Sequence, residues 1–454
     1  MRVAIVGMGY VGLVTGVCLA EKGHHITCVD LDEEKVLAVS TGRPPIHEEG
    51  LEGLLARNVG GRFEATSNLA EAARTADVII IAVGTPFDGA RIDLGAVRGA
   101  VRSVGEAIRG RDDFPVVVVK STVVPGTTRD VVTPVLEEVV GGVAGVAFGV
   151  ATNPEFLTEG QAVADFMHPD RLVLGSSDDR TAARLDELYA GFPDVPRVHT
   201  TVTAAETIKY ASNALLATMI SFSNEFADLC SAVGDVDVVD VMRGLRSSMY
   251  LNFDGHRVPI TSFLEAGCGF GGSCLPKDVN ALAAHGEALG RPMTLLRAVL
   301  DVNGRRADEM LHILRSHFTT LEGCKVTVLG LAFKPDTDDV RESPAVPIVR
   351  RLLAEGAVVR THDPVVRTLP AALEVENVEL ESDLEDALKG ADAVVLITSW
   401  RQYDTLPEVL ARLDPQPILV DGRRFVSPDR VERYDGIGFP ASEDAASVPA
   451  NSTT

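Results

Sequence analysis

Residues 3–12 read VAIVGMGYVG, and this sequence is the strongest indication of how the first part of the chain folds. A short β-branched run leads directly into Gly7, Gly9 and Gly12, and an apolar helical segment follows. The first glycine permits a tight turn, the second lets a diphosphate approach the backbone, and the third lets the helix pack closely on the strand. The stretch therefore predicts a strand, a turn and a helix whose N-terminus faces phosphate charge.

The residues after this turn predict which dinucleotide binds. Asp30 ends the second predicted strand, where its carboxylate can accept hydrogen bonds from both ribose hydroxyls and would repel a 2′-phosphate. This favours NAD over NADP. Thr85 and Thr122 follow two further strands at their carboxyl ends, where ligands of open α/β sheets lie. Each threonine alone also suits a turn or a cap, but together they outline a cofactor crevice.

The pattern of apolar runs predicts an α/β fold with two Rossmann-like, doubly wound domains joined by a long central helix. Continuous rather than alternating apolar runs suit strands covered on both faces, as in a parallel sheet. After about residue 320 the early pattern returns without a full glycine fingerprint: CKVTVLGLAF echoes MRVAIVGMGY, and ADAVVLITS echoes ADVIIIAVGTP. The predicted strands of the first domain are 2–6, 25–30, 77–83, 116–120, 148–152 and 171–175. The predicted divisions are 1–200, 201–318, 319–440 and a disordered tail, 441–454.

Composition excludes several classes of partner. The 454 residues carry a formal net charge of −23, so nucleic acid and anionic membranes are unfavourable partners. No apolar run approaches a membrane span, and the N-terminal stretch makes a poor signal peptide, so we expect a cytoplasmic protein. The six cysteines lack the spacing of a zinc site, and no metal is expected.

The segment 203–234 predicts one long helix. Thr203 and Glu206 have the spacing of a capping box, and Gly234 suits the end of the helix. The segment is apolar around much of its girth, which indicates burial on more than one side. Packing within the chain and packing against a second copy both explain this, and we expect a homodimer through this helix.

The stretch 269–278, GFGGSCLPKD, places Cys274 on a glycine-rich loop just before a predicted helix. Five of the six cysteines lie in apolar or glycine-rich surroundings, which is typical of packed thiols. Cys274 differs because a helix N-terminus and a nearby lysine favour the thiolate. A thiolate that adds to an aldehyde makes a tetrahedral carbon that still carries hydrogen, and loss of hydride then gives a thioester that water can cleave. The sequence therefore predicts a nucleophile.

Five motifs stand in order along the chain: KSTVVPG (120–126), NPEFLTEG (153–160), IKYASN (208–213), GFGGSCLPKD and GLAFKPDTDDVRESP (330–344). This set resembles the UDP-glucose/GDP-mannose dehydrogenase family from residue 1 to about residue 430. The resemblance implies an NAD-dependent, four-electron oxidation of the C6 alcohol of a nucleotide sugar to the acid. UDP-glucose, giving UDP-glucuronate, is the expected substrate, and GDP-mannose and dTDP-glucose are alternatives.

The resemblance also assigns roles to residues, some of which the residue types support directly. Lys209 and Asn213 share one helix face, where a cation and an amide can stabilise an alkoxide. Glu155 is the candidate base for the water that attacks the thioester, Thr122 would hold that water, and Asp278 would orient water or Lys209. Glu159 is a further member of the catalytic set, although a solvated carboxylate explains it equally well. The predicted cofactor contacts are Gly7, Gly9, Tyr10, Val11, Gly12, Asp30, Lys35, Thr85, Thr122, Glu159, Lys277 and Arg341. The predicted substrate contacts are Glu155, Phe156, Leu157, Lys209, Asn213, Arg257, Phe263, Leu264, Gly267, Gly271 and Lys334.

One segment departs from the family pattern. Relatives that use UDP-glucose commonly carry RIG and FLNPG before the cysteine motif, whereas this chain has HRVPITSFLEAG at 256–267. Arg257 is displaced by one residue, and Glu265 and Ala266 replace Asn and Pro. In relatives the arginine reaches the substrate of a neighbouring subunit, so its role here is open. A two-electron 3-hydroxyacid dehydrogenase is the main alternative, but that class needs no cysteine nucleophile. A non-catalytic NAD-sensing or scaffold protein is a third class, and the retained set of polar site residues argues against it.

Overall fold

The computed structural model describes residues 1–253, 256–375 and 377–440, so the predicted tail lies outside the described residues. The chain divides into two compact units, the first spanning Met1–Ser212 and the second beginning at Asn213. Among the described residues, no helix is both long enough and apolar enough to cross a membrane.

The first unit is built on an eight-stranded sheet of order β3-β2-β1-β4-β5-β6-β7-β8. The six predicted strands are all present, with ends that shift by one or two residues, while β3 and β8 were not predicted because both are short and partly exposed. The strands are β1 (Arg2–Val6), β2 (His25–Val29), β3 (Phe63–Thr66), β4 (Val78–Ile81), β5 (Val116–Val119), β6 (Gly149–Thr152), β7 (Leu172–Ser176) and β8 (Arg197–Thr200). The helices are α1 (Tyr10–Glu21), α2 (Glu33–Ser40), α3 (Leu51–Asn58), α4 (Leu69–Thr75), α5 (Gly95–Ile108), α6 (Thr133–Val140), α7 (Ala162–Met167) and α8 (Asp179–Leu188).

The sheet of the first unit is parallel except at one pairing, where β7 runs antiparallel to β6. The prediction of parallel strands was therefore wrong at this point. The physical reason is the connection: the loop that carries Glu155 and the short helix α7 stay at the carboxyl end of β6, so β7 starts at that end. Elsewhere the central strands VIII (β4) and VVVV (β5) are buried along their whole length, as expected for a sheet covered on both faces.

The second unit contains a six-stranded parallel sheet of order β13-β12-β11-β14-β15-β16, which repeats the winding of the first six strands of the other sheet. This confirms the predicted second Rossmann-like domain. Its strands are β11 (Lys325–Leu329), β12 (Val358–His362), β13 (Val378–Glu381), β14 (Ala393–Leu396), β15 (Ile418–Asp421) and β16 (Tyr434–Gly436), and a small ribbon pairs β9 (Asn252–Phe253) with β10 (His256–Arg257). The helices after the long helix are α10 (Val238–Arg246), α11 (Leu275–Ala288), α12 (Thr294–His317), α13 (Ala345–Ala354), α14 (Leu384–Leu388) and α15 (Leu406–Leu410).

The long helix that joins the two sheet domains, α9, runs from Val202 to Val233 and has 32 residues. The predicted capping box at Thr203 was wrong. Thr201 caps the helix instead, because its hydroxyl accepts a hydrogen bond from the Ala204 N–H at 3.1 Å. Glu206 does not cap the helix, and its carboxylate instead accepts hydrogen bonds from the loop that follows β5. Gly234 follows the helix with a φ of +99°, as the sequence predicted.

Candidate active site

The glycine turn between β1 and α1 has the geometry that a bound diphosphate requires. Gly7 has a φ of +104°, and a Cβ there would lie 2.5 Å from the Ala82 carbonyl oxygen. A Cβ at Gly12 would lie 1.9 Å from the Gly7 oxygen, whereas one at Gly9 would meet nothing within 4 Å. Gly9 is the N-cap of α1 and has no side chain to cap the first N–H groups. The space above the helix N-terminus therefore fits the pyrophosphate of a dinucleotide.

Asp30 holds the same turn from the end of β2. Its Oδ2 accepts a hydrogen bond of 2.8 Å from the Met8 N–H. Its Oδ1 accepts one of 3.1 Å from the Asp32 N–H. The second sheet repeats this arrangement, because Oδ2 of Asp363 accepts from the Leu331 N–H at 2.8 Å. The carboxylate thus has a structural role in both domains. In the first domain, the remaining lone pairs of Asp30 can also accept hydrogen bonds from the ribose hydroxyls.

The other predicted cofactor residues lie around this turn. Tyr10 and Val11 begin α1, and the Tyr10 hydroxyl donates to Glu48, a buried residue that sequence analysis missed. Glu48 also accepts a 2.8 Å hydrogen bond from the Gly160 N–H, so it ties the start of α1 to the loop after β6. Lys35 lies on α2 with its ammonium 3.6 Å from Asp32. The loop 44–50 reads PPIHEEG, and nothing in this stretch distinguishes Glu48 from the neighbouring Glu49.

The two predicted threonines are brought together by the structure. The Thr85 hydroxyl donates a 2.7 Å hydrogen bond to the backbone oxygen of Thr122. Ser121 donates to the Val83 oxygen at 2.7 Å, so the ends of β4 and β5 are joined by side chains. The hydroxyl of Thr85 is therefore engaged by the protein, and that of Thr122, which is partly exposed, is the better placed of the two for a ligand.

Lys209 and Glu155 form a buried ion pair in the first unit. The Lys209 ammonium lies 3.0 Å from Oε1 of Glu155, and both side chains are less than a tenth exposed, at 6% and 7%. Oε2 of Glu155 accepts a 2.6 Å hydrogen bond from the Leu157 N–H. Burial raises the pKa of Glu155, but Lys209, the Leu157 N–H and Lys120 together outweigh it, so this pKa lies below its usual range. Glu155 is held as a carboxylate, the form that a general base needs.

The ring of Phe156 lies beside this pair, 5.5 Å from the Lys209 ammonium and 4.3 Å from the Arg171 guanidinium. Leu157 and Glu159 follow on the same loop and are partly exposed. The loop NPEFLTEG therefore places Phe156 beside Lys209, as the predicted substrate contacts require.

Glu206, one turn before Lys209, was assigned to a cap and instead fixes the loop after Thr122. Its buried carboxylate accepts hydrogen bonds from the Gly126 N–H at 2.6 Å and the Thr128 N–H at 2.7 Å. Burial raises the pKa of Glu206 and outweighs these hydrogen bonds. A second missed residue is Lys120, which ends β5 and is 4% exposed. A lysine directly after four buried valines was the available signal for it.

In the second unit, Cys274 is the one exposed thiol among the six cysteines, and the other five are buried. It is the N-cap of α11, and Pro276 lies in the first turn, as predicted. The Asp278 N–H donates a 2.8 Å hydrogen bond to the Cys274 oxygen, which is the first bond of that helix. The Ser273 hydroxyl lies 3.7 Å from the sulfur. A thiol in this place is accessible and faces the positive end of the helix dipole.

Asp278 is buried one turn into α11 and joins two other predicted residues. Its Oδ2 accepts a 2.7 Å hydrogen bond from the Asn213 amide, and its Oδ1 lies 2.5 Å from the Lys277 ammonium. Asn213 lies on α9 one turn after Lys209, so both face the same side of that helix. The contacts of Asp278 within its unit are thus to Asn213 and Lys277, and its predicted role in orienting Lys209 stays a prediction.

The cysteine loop packs tightly against the loop after β11. A Cβ at Gly271 would lie 2.1 Å from the Glu342 oxygen, and the Gly272 N–H donates to the Arg341 oxygen at 3.1 Å. Arg341 is exposed, and its guanidinium pairs with Asp339 at 2.6 Å. Lys334 lies on the same loop, with its ammonium 5.9 Å from the Phe333 ring. The glycines of the motif therefore allow close contact between two loops that contain predicted ligand-binding residues.

The segment that departs from the family pattern is described in part. Leu264 and Gly267 are buried, Phe263 is partly exposed, and the Gly267 N–H donates to Asn224 at 2.7 Å. Glu265 is mostly exposed and accepts a 2.7 Å ion-paired hydrogen bond from Arg246. The side chain of Arg257 lies outside the described residues, and its predicted role stays a prediction.

A dinucleotide turn followed by a second Rossmann-like domain, with an accessible thiol between them in sequence, is typical of an NAD-dependent dehydrogenase that uses covalent catalysis. Three family descriptions match the chain: the NAD binding domain at 1–193, the central domain at 203–305 and the UDP binding domain at 327–428 of the UDP-glucose/GDP-mannose dehydrogenase family. The chain belongs to this family, and its cofactor is NAD.

Relatives cover nearly the whole chain. It is 41% identical over 444 residues to the UDP-glucose 6-dehydrogenase AglM of Haloferax volcanii, covering 97% of this chain and 99% of that one. It is 37% identical over 408 residues to a GDP-mannose 6-dehydrogenase of Pseudomonas aeruginosa, covering 87% and 91%. The solved structure of a UDP-glucose dehydrogenase from Pyrobaculum islandicum matches with a TM-score of 0.88 at 39% identity, over 96% and 97% of the two chains.

Proposed function

We propose that this enzyme oxidises UDP-glucose to UDP-glucuronate in two NAD-dependent steps through a thioester on Cys274. The observation that carries the proposal is the exposed Cys274 at the start of α11, in a chain whose other five cysteines are buried. The named relatives support UDP-glucose over GDP-mannose, since the UDP-glucose 6-dehydrogenase of Haloferax volcanii is 41% identical to this chain and the GDP-mannose enzyme 37%. Bound NAD would accept the hydride in each oxidation.

In the first oxidation, the C6 hydroxyl loses its proton and the carbon loses hydride, which gives an aldehyde. The negative charge that develops on the oxygen needs a cation and a hydrogen-bond donor. Lys209 and Asn213 supply them from one face of α9. The ion pair with Glu155 and the hydrogen bond to Asp278 hold these two groups in place before substrate binds.

In the second oxidation, the Cys274 thiolate adds to the aldehyde carbon and forms a tetrahedral thiohemiacetal. Loss of hydride turns this into a thioester. Glu155 then takes a proton from the attacking water, which Thr122 holds, and the carbon–sulfur bond breaks to release the carboxylate and the thiolate.

The remaining predictions are part of the same proposal. Lys277 and Arg341 bind the cofactor, and Lys334 binds the nucleotide sugar. The domains end at residues 200, 318 and 440.

Replacement of Cys274 by Ala tests the covalent scheme. The variant should bind NAD with nearly unchanged affinity but should release no UDP-glucuronate, as measured by chromatography of the products. The wild type should release two NADH for each sugar. Full four-electron turnover by the variant would refute the thioester. One NADH for each sugar in the wild type would instead favour the two-electron dehydrogenase.

The sugar and the base are tested by comparing UDP-glucose with dTDP-glucose, GDP-mannose and UDP-N-acetylglucosamine. The observation that makes this panel necessary is Glu265, which stands where UDP-glucose enzymes commonly have Asn and which pairs with Arg246. The highest kcat/KM is expected for UDP-glucose. A higher value for GDP-mannose would move the assignment to the alternative substrate.

We also propose a homodimer that forms through α9. Leu215, Phe222 and Leu229 recur every seven residues on this helix and are 51%, 39% and 55% exposed. Such a stripe on a long helix suits a second copy of itself across a two-fold axis. Light scattering should give a dimer for the wild type and a monomer for Leu229→Asp. Leu289→Asp, also exposed but at the C-cap of α11, is the control that should stay dimeric.

A cytoplasmic location is proposed on the basis of six free thiols, one of which the reaction needs in its reduced form. Cell fractionation with a tagged chain should recover the enzyme with cytoplasmic markers. Recovery in a secreted fraction would contradict this.

A further inference from the structure

A third buried charged group, Lys120, interacts electrostatically with the Glu155–Lys209 pair, and the proposed reaction does not use it. Lys120 follows β5 and is 4% exposed, and its ammonium donates a 2.9 Å hydrogen bond to Oδ1 of Asn153. Asn153 ends β6, two residues before Glu155, and it is also buried. A lysine is almost never this buried unless a partner holds it.

The groups that hold Lys120 come from several elements and form a fixed network. The Tyr189 hydroxyl, after α8, donates a 2.5 Å hydrogen bond to the same Asn153 oxygen. The Asn153 amide donates to the Val173 oxygen on β7 at 2.9 Å, which fixes the orientation of Asn153. The ring of Phe166 on α7 lies 5.9 Å from the ammonium. Burial raises the pKa of Tyr189, so the phenol stays neutral and the network has no anion of its own.

Among the described residues, two charged groups shift the pKa of Lys120, and they are the members of the buried pair. Burial lowers the pKa of Lys120 to about 8, Glu155 opposes that shift, and Lys209 adds to it. The interaction is mutual, because Lys120 also lowers the pKa of Glu155. Three charges therefore share one buried region, two positive and one negative.

We propose that Lys120 is a positioning residue whose buried positive charge keeps Glu155 ionised, so that Glu155 can act as a base in mildly acidic conditions. The inference rests on the proposed role of Glu155 in thioester hydrolysis. The physical reason is that a single ammonium leaves the carboxylate in a neutral pair, and burial then favours its protonation. A second ammonium makes the protonated state of Glu155 less favourable.

The test is the pH dependence of kcat in Lys120→Met, which removes the charge and keeps the length of the side chain. Loss of the cation should raise the pH at which Glu155 is protonated, because Lys120 is one of the groups that lower the pKa of Glu155. The ratio of wild-type to variant kcat should therefore increase severalfold as the pH falls from 8 to 5. Above about pH 8, where Lys120 loses its own proton, the two profiles should converge to a constant ratio.

Two matched variants separate charge from structure. Tyr189→Phe removes a hydrogen bond from the same network but no charge, so its ratio to wild type should not depend on pH. Lys120→Arg keeps the charge, so its acidic limb should match the wild type even if kcat falls. If Lys120→Met does not fold, Asn153→Asp carries the test, because a carboxylate there offsets the Lys120 charge and should produce the same acid-side loss.

A pH-independent ratio for Lys120→Met, or an equal acid-side loss in Tyr189→Phe, would overturn the proposal. A wild-type enzyme that yields no UDP-glucuronate at any pH would instead remove the proposed function itself. The two failures are therefore distinguishable in one set of assays.

Discussion

The Asn213 amide donates a 2.7 Å hydrogen bond to Asp278, and both side chains are buried in the second unit. Asp278 also holds the partly exposed Lys277 ammonium at 2.5 Å, so one buried carboxylate satisfies two partners. A buried group of this kind is costly to leave without its partner.

Asp278→Asn should therefore destabilise the enzyme and reduce turnover. The new amide cannot accept from Asn213 in the same geometry without presenting its own donors to Lys277. We expect a loss of about 2 kcal/mol in the free energy of unfolding, measured by urea denaturation. Asp386→Asn is the control, since its exposed pair with Lys389 is screened by water and should contribute little to stability. Equal losses in the two variants would contradict the importance of burial.

Alkylation should distinguish Cys274 from the other thiols without any mutation. Iodoacetamide reacts with accessible thiolates, and Cys274 alone among the six cysteines is exposed. We expect one label for each native chain, found on the peptide that contains Cys274, and loss of activity in parallel. Cys274→Ala should take up no label under the same conditions. Early labelling of a buried cysteine such as Cys268 would show that the native chain opens in solution.

The preference for NAD should depend on Asp30. Asp30→Asn removes the charge that repels a 2′-phosphate and keeps an oxygen that can accept from the Met8 N–H. The ratio of kcat/KM for NAD to that for NADP should fall by about tenfold, because a like-charge repulsion of about 1.4 kcal/mol is lost. Asp363→Asn alters the equivalent contact with Leu331 in the second sheet and should leave this ratio unchanged. A wild type that prefers NADP would refute the assignment.

Lys120 should also affect the stability of the fold at alkaline pH. The folded-state pKa of Lys120 is lowered to about 8 from 10.5, so between these values the unfolded chain binds a proton that the folded chain does not. Stability conferred by this group therefore rises with pH across that window and is constant below it. The free energy of unfolding of the wild type relative to Lys120→Met should increase from pH 8 to pH 10. A flat difference would show that Lys120 titrates normally.

Much of this fold could be predicted from sequence because its signals are local. Buried runs such as VVVV before Lys120, and the glycines at 7, 9 and 12, specify strand and turn within a few residues. The antiparallel β7 could not be predicted, since its direction depends on the edge of the sheet at which the loop after β6 ends. Glu206 was misassigned for a related reason: a capping pattern and a contact with residues 126–128 look alike until the chain is folded.

The site shows the same division. Cys274, Glu155, Lys209, Asn213 and Asp278 belong to motifs with distinctive neighbours, so the sequence could propose them as site residues, and their roles stay predictions. Glu48 gave no such signal, and the valines before Lys120 indicated its burial but not its role, because both roles arise from partners far away in sequence, Gly160 and Asn153. Residue type and spacing indicate candidate reactive groups, whereas residues that position other side chains are recognised only in the folded structure.

The carboxylate at the end of the second strand in each sheet has a practical consequence for redesign. In the first domain Asp30 stabilises the turn through the Met8 N–H and also selects the cofactor, whereas in the second domain Asp363 only stabilises the equivalent turn. Changing the cofactor preference from NAD to NADP therefore requires both functions of Asp30 to be replaced. A library for this purpose would vary Asp30 together with Leu31 and Asp32, so that a new side chain or backbone path stabilises the turn while a cation binds the 2′-phosphate.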